Sequence, residues 1–132
     1  MNRGERLGRG SLAVNAAFCT VVGIVLIGAR RRIARLLGGR SIVAGIAGVA
    51  TIGWAGIVVS QVVRPDWRAA TARIAAANLA GMSALMVAAS LHPRRRARFV
   101  LTGAAIDVAI LAVVQLAALI IRGGDSEERT GD

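Results

Sequence analysis

The stretch FVLTGAAIDVAILAVVQLAALII, Phe99 to Ile121, runs for 23 residues with a single charge, Asp107, near its centre. A helix rising ~1.5 Å per residue needs roughly 20 residues to cross ~30 Å of hydrocarbon, so the run is long enough to span a bilayer. Three further runs share its character: Ser11 to Ala29, Ser41 to Val63 and Thr71 to Leu91, each of 19 to 23 residues. The charges are gathered in short blocks between them. At 132 residues, 55% hydrophobic and a mean hydropathy of +0.62, the chain is too apolar and too unevenly patterned for a soluble domain. Period-two alternation with regular turn signals is absent, which argues against an outer-membrane barrel. The expected fold is all-α: a four-helix transmembrane bundle, preceded by a polar tail over residues 1–10 and followed by a disordered acidic tail over residues 122–132.

The net charge of +10 comes from 17 arginines and no lysine. Such a balance would suit a nucleic-acid partner if it formed a soluble stripe. Here ARRRIAR (Ala29 to Arg35) and HPRRRAR (His92 to Arg98) abut the spans instead. Arg30, Arg31, Arg32, Arg35, Arg94, Arg95, Arg96 and Arg98 are therefore expected to anchor the chain at the surface of the lipid bilayer by snorkelling to phosphates, with no nucleic acid involved. In RPDW (Arg64 to Trp67), Pro65 ends one span, Asp66 caps the next and Trp67 suits the headgroup layer. The first and third connections hold nine arginines tight against the spans, and the other side holds eight, several of them diluted in tails. The positive-inside rule then places the protein in the cytoplasmic membrane with both termini outside.

Sliding the chain on itself by 63 residues sets Asn15 on Asn78, Arg31 and Arg32 on Arg94 and Arg95, and Arg35 on Arg98. This is the register that two repeated helical hairpins would produce, parallel and not inverted, because two spans separate the copies. The segments NAAFCTVVGIVLIGA (Asn15 to Ala29) and IAAANLAGMSALMVAAS (Ile74 to Ser90), with the four-span layout, resemble uncharacterised small integral membrane proteins of bacteria. That resemblance implies no activity. The chain is less similar to small multidrug exporters, whose first helix carries an essential acid where this chain has only Asn15. Fluoride channels pair phenylalanines in the membrane, whereas Phe18 is alone and Phe99 sits at an edge.

Counting ~1.5 Å per residue from the arginine blocks places Asp107 ~13 Å deep, near the midplane. An aspartate there costs roughly 2.5 to 3.5 kcal/mol on insertion scales, which several Leu or Ile offset, and it needs a partner. Arg98 lies ~13 Å away along the same helix and Arg73 ~18 Å away in depth, both beyond the reach of a guanidinium. Thr20, Thr51, Ser83 and Cys19 fall at ~15 to 17 Å. A low dielectric without a cation favours the neutral acid, so Asp107 is expected to donate a hydrogen bond to this hydroxyl and thiol layer. Farther out, at ~22 to 26 Å, Asn15, Asn78 and Gln115 share one height with Trp54 and are expected to bond across helices.

The second span, with Gly45, Gly48, Ala55, Gly56 and Ser60, is expected at the centre of the bundle or of a dimer. Cys19 is the sole cysteine and His92 the sole histidine, so no disulfide, metal or cofactor site is expected. No Ser/His/Asp set, phosphate loop or carboxylate pair points to catalysis. The expected function is therefore not enzymatic. It is that of a small accessory or self-associating membrane subunit, bound to a second copy or to another membrane protein. The alternative is a small proton- or cation-coupled transporter or channel using Asp107.

Overall fold

Each apolar run folds as a helix because only that geometry pairs every backbone N–H and C=O within the segment. The computed structural model describes residues 3–121, and over these it contains α1 (Arg3–Gly28), α2 (Arg30–Leu37), α3 (Ser41–Val62), α4 (Trp67–Leu91) and α5 (Arg95–Ile120). Helices α1, α3, α4 and α5 are long and apolar enough to cross a membrane. The acidic C-terminal segment lies outside the described residues.

Two boundaries differ from the sequence reading. The segment read as a polar tail is helical from Arg3. Glu5 and Arg9 form an i, i+4 ion pair at 3.0 Å, and the Arg9 guanidinium also donates to the carbonyl of Val62 at the end of α3. One side chain thus supports the first turns of α1 and satisfies an orphan carbonyl of another helix. The second difference is α2, an arginine-rich helix where only a connection was expected. Gly38, at φ 71°, ends it, and the Gly39 amide donates to the Ala34 carbonyl at 2.9 Å. At the equivalent offset in the second half stand Leu101 and Thr102, and there the arginine segment continues unbroken into α5.

The most extensive packing joins α1 to α3 and α4 to α5, two antiparallel hairpins set side by side. At the RPDW turn Asp66 Oδ1 accepts from the Ala69 amide at 3.1 Å, the N-cap that starts α4. Close to it, the Trp67 ring lies against Gly8, where a Cβ would stand 2.7 Å from Cε3. The core formed there contains Leu12, Ala16, Val58, Ala70 and Ile74, with Trp54 and Val62 packed on it. Helix α1 touches all the others, whereas α3 and α5 make no contact among the described residues. The small-residue helix α3 is therefore at an edge of the chain's own bundle, not at its centre. Ala44, Gly48 and Ala55 face inward, and Gly53, Gly56 and Ser60 remain exposed.

Where α1 crosses α3, backbone meets backbone. A Cβ on Gly48 would lie 2.8 Å from the Gly23 carbonyl oxygen, and one on Gly23 2.8 Å from the Gly48 oxygen. Gly48→Ala is thus expected to force the helices apart and destabilise the protein by about 1–3 kcal/mol. Gly53→Ala, at a position with nothing within 4 Å, is expected to be neutral or stabilising. Thermal unfolding of both variants in the same detergent checks the contrast.

Candidate intramembrane polar site

Helices α1, α4 and α5 each carry one amide into the interior. Asn15 is 1% exposed, Asn78 6% and Gln115 0%. Asn78 Nδ2 donates to Gln115 Oε1 at 3.0 Å, a bond that joins α4 to α5 within the apolar layer. Asn15 Oδ1 accepts from the Cys19 thiol at 3.5 Å, one turn along the same helix. The donors Asn15 Nδ2 and Gln115 Nε2 have no partner among the described residues, and neither does the buried hydroxyl of Thr71. An unmet buried donor costs about 1–3 kcal/mol, so three of them form a polar interior with hydrogen-bonding capacity to spare.

Thr71 was missed in the sequence because it reads as the first residue of an apolar run. Its spacing of seven from Asn78 puts it on the same helical face two turns away, and that was the available signal. The structure buries it against Gly8, where a Cβ would lie 3.2 Å from its Oγ1. Ser11, also buried, spends its hydroxyl on the Gly8 carbonyl at 2.8 Å.

Asp107 is placed elsewhere. It lies on the exposed side of α5, beside exposed Gly103, Ile106 and Ile110, while Ala105, Ala112 and Gln115 mark the buried side. It makes no hydrogen bond or ion pair among the described residues. The hydroxyls expected to receive its proton make no bond with it and donate along their own helices instead. Thr20 donates to the Ala16 carbonyl at 2.9 Å, Thr51 to Ala47 at 2.7 Å and Ser83 to Leu79 at 2.9 Å. Such i−4 back-bonding satisfies a hydroxyl within its own helix, which equal depth alone could not reveal. The amide layer and the acid are thus two separate features, on different faces of α5.

At the ends of the apolar helices, Arg30, Arg31, Arg32, Arg35, Arg94, Arg95, Arg96 and Arg98 are all exposed. Trp67 is half-buried, with the Arg68 guanidinium 5.3 Å from its ring centroid. Arg68 also donates to the Leu119 carbonyl at 2.8 Å, which ties the start of α4 to the end of α5.

The interhelical amide bond can be weighed directly. A double-mutant cycle of Asn78→Leu and Gln115→Leu is expected to give a coupling of about 0.6 kcal/mol and no more than ~1.7, measured by unfolding in mixed micelles. Each single change is expected to cost more than the coupling, because it leaves the other amide buried with one bond fewer. The chain matches no known protein family, no curated protein and no solved structure.

Proposed function

We propose that this chain is a multi-pass protein of the cytoplasmic membrane that acts without catalysis, through packing, as a small self-associating subunit whose contact surface is the outer face of α5. The observation that carries this reading is the exposed, unpartnered Asp107 among Gly103, Ile106 and Ile110. A bare acid facing hydrocarbon near the midplane costs roughly 2.5 to 3.5 kcal/mol. No hydrogen bond or ion pair to it is made by any of the described residues, so the compensating group is taken to come from another polypeptide.

A second copy related by a two-fold axis along the membrane normal supplies one at the same depth, since in such an interface each residue can face its own mate. The carboxyl group of the second copy is then a hydrogen-bond partner that requires no cation. Gly103, one turn before Asp107, has nothing within 4 Å of where its Cβ would be, which leaves room for a close helix approach. Phe99, Gly103, Ile106, Ile110 and Val113, all exposed, repeat at intervals of four and three, the spacing of a helix–helix seam. The arginine face, with nine guanidinium groups among the described residues, is assigned to the cytoplasm and both ends of the chain to the outside.

A second reading, a proton- or cation-coupled transporter or channel, draws on the unpartnered donors of Asn15 and Gln115. Because Asp107 stands on a different face of α5, a path using it would run between copies and not through one chain.

The test uses Cys19→Ser protein with a single cysteine introduced at Ile106 or Ile110, oxidised in membranes. Disulfide-linked dimers are expected from these positions and not from Val14 or Val49, which are exposed on α1 and α3. Asp107→Ala is expected to weaken the dimer about 3- to 18-fold, the loss of one interhelical bond, while Asp107→Asn keeps it. A monomeric mass in bilayer discs overturns the proposal. Proton flux in liposomes that Asp107→Asn abolishes establishes the second reading.

A further inference from the structure

Two arginine clusters far apart in sequence meet on one surface, and the contacts that join them are specific. The Arg94 guanidinium donates to the Arg35 carbonyl at 3.0 Å and stands over Gly38, where a Cβ would lie 2.8 Å from its Cζ. His92 Nε2 donates to the Leu37 carbonyl at 3.0 Å while its Nδ1 accepts from the Arg94 amide at 3.2 Å, so one tautomer serves both bonds. Carbonyls left open at the end of α2 are thereby satisfied, and the α4–α5 turn is locked onto α2.

Between α2 and the start of α5 this leaves a groove of about 640 Å³, lined by Arg32, Arg35, Leu36, Arg94, Arg95 and Arg96. It continues into a second hollow of about 410 Å³ that shares Leu36, Arg95 and Arg96 and adds Phe99 and Val100. Leu36, Phe99 and Val100 are all exposed, Phe99 by 83%. Among the described residues the acids are Glu5, Asp66 and Asp107; the first two are at the opposite face and the third is deep in α5. None of the described residues on the arginine face neutralises the five guanidinium groups of the groove. The site is thus amphipathic along the membrane normal, with phosphate-binding forks above and an apolar track below.

We propose that this groove binds an anionic phospholipid, its phosphates held by Arg35, Arg95 and Arg96 and an acyl chain laid along Leu36, Phe99 and Val100. A headgroup with two phosphates is preferred, because one phosphate leaves most of the five cations unpaired. Arg94 is a positioning residue, since its guanidinium already fixes the wall of the groove. Phe99 also ends the α5 seam proposed above, so in a dimer the acyl chain lies at the margin of that seam, while Arg35, on α2, stands outside it.

Native mass spectrometry of the full chain in mild detergent tests it, with diphosphatidylglycerol, phosphatidylglycerol and phosphatidylcholine as probes and inorganic pyrophosphate as competitor. Arg35→Gln with Arg96→Gln is expected to weaken diphosphatidylglycerol binding about 30-fold. Arg31→Gln with Arg40→Gln, which removes the same charge from the same face outside the groove, is expected to weaken it no more than about 3-fold. Phe99→Ala is expected to weaken the lipid while leaving pyrophosphate unchanged. Equal losses for the two arginine pairs would mean diffuse surface charge and overturn the site. Displacement of the lipid by equimolar pyrophosphate would make the ligand a soluble anion and overturn the lipid assignment. Unchanged melting temperatures in lipid-free detergent keep misfolding out of either result.

Discussion

A helix in hydrocarbon has no water to complete its hydrogen bonds, and that constraint orders this protein from the arginine face to the opposite turn. It explains why the termini of neighbouring helices are tied by guanidinium-to-carbonyl bonds, with Arg9 on Val62, Arg68 on Leu119 and Arg94 on Arg35. In each case a long side chain delivers a donor to a carbonyl that the helix itself leaves open. Arginine suits the task because it carries five donors, so one bond inward still leaves others for the headgroup layer. The high arginine content thus has a structural use.

The same constraint separates the two kinds of polar residue in the membrane layer. Asn78 and Gln115 pair between helices, and buried amides of this sort favour one arrangement of helices over its neighbours because a slip would strand both groups. Thr20, Thr51 and Ser83 spend their hydroxyls on their own helices and need no neighbour. Asp107 belongs to neither group. An acid placed on the outer face of α5 is a demand that none of the described residues meets, and this points to the lateral surface of the bundle.

Packing within the chain rests on small residues more than on large ones. The core is dominated by alanine, with Leu12, Val58 and Ile74 as its larger members, and α1 meets α3 through Gly23 and Gly48. Close approach of backbones replaces the hydrophobic drive that lipid removes. The large apolar residues, among them Val14, Ile46, Val49, Phe99 and Ile110, point outward instead. This inverts the pattern of a soluble bundle, as the bilayer requires.

The four spans and their apolar character could be read from the sequence, because length, hydropathy and rise per residue are local or additive quantities; of the three amides expected to bond across helices, Asn78 and Gln115 do so, whereas Asn15 bonds along its own helix. Asp66 as a cap was legible for the same reason, since capping depends on the next three residues. The helical N-terminal segment, the separate helix α2 and buried Thr71 were not. Each depends on a partner distant in the chain: Val62 for Arg9, the His92 to Arg94 turn for the end of α2, and Gly8 for Thr71. Height along a helix can be counted from the sequence, but azimuth cannot. The sequence by itself put Asp107 and the hydroxyls at similar heights; only the packing of α5 against α4 and α1 decided that the acid faces outward and Gln115 inward, because rotation about a helix axis is set by which side chains the neighbouring helices can accept.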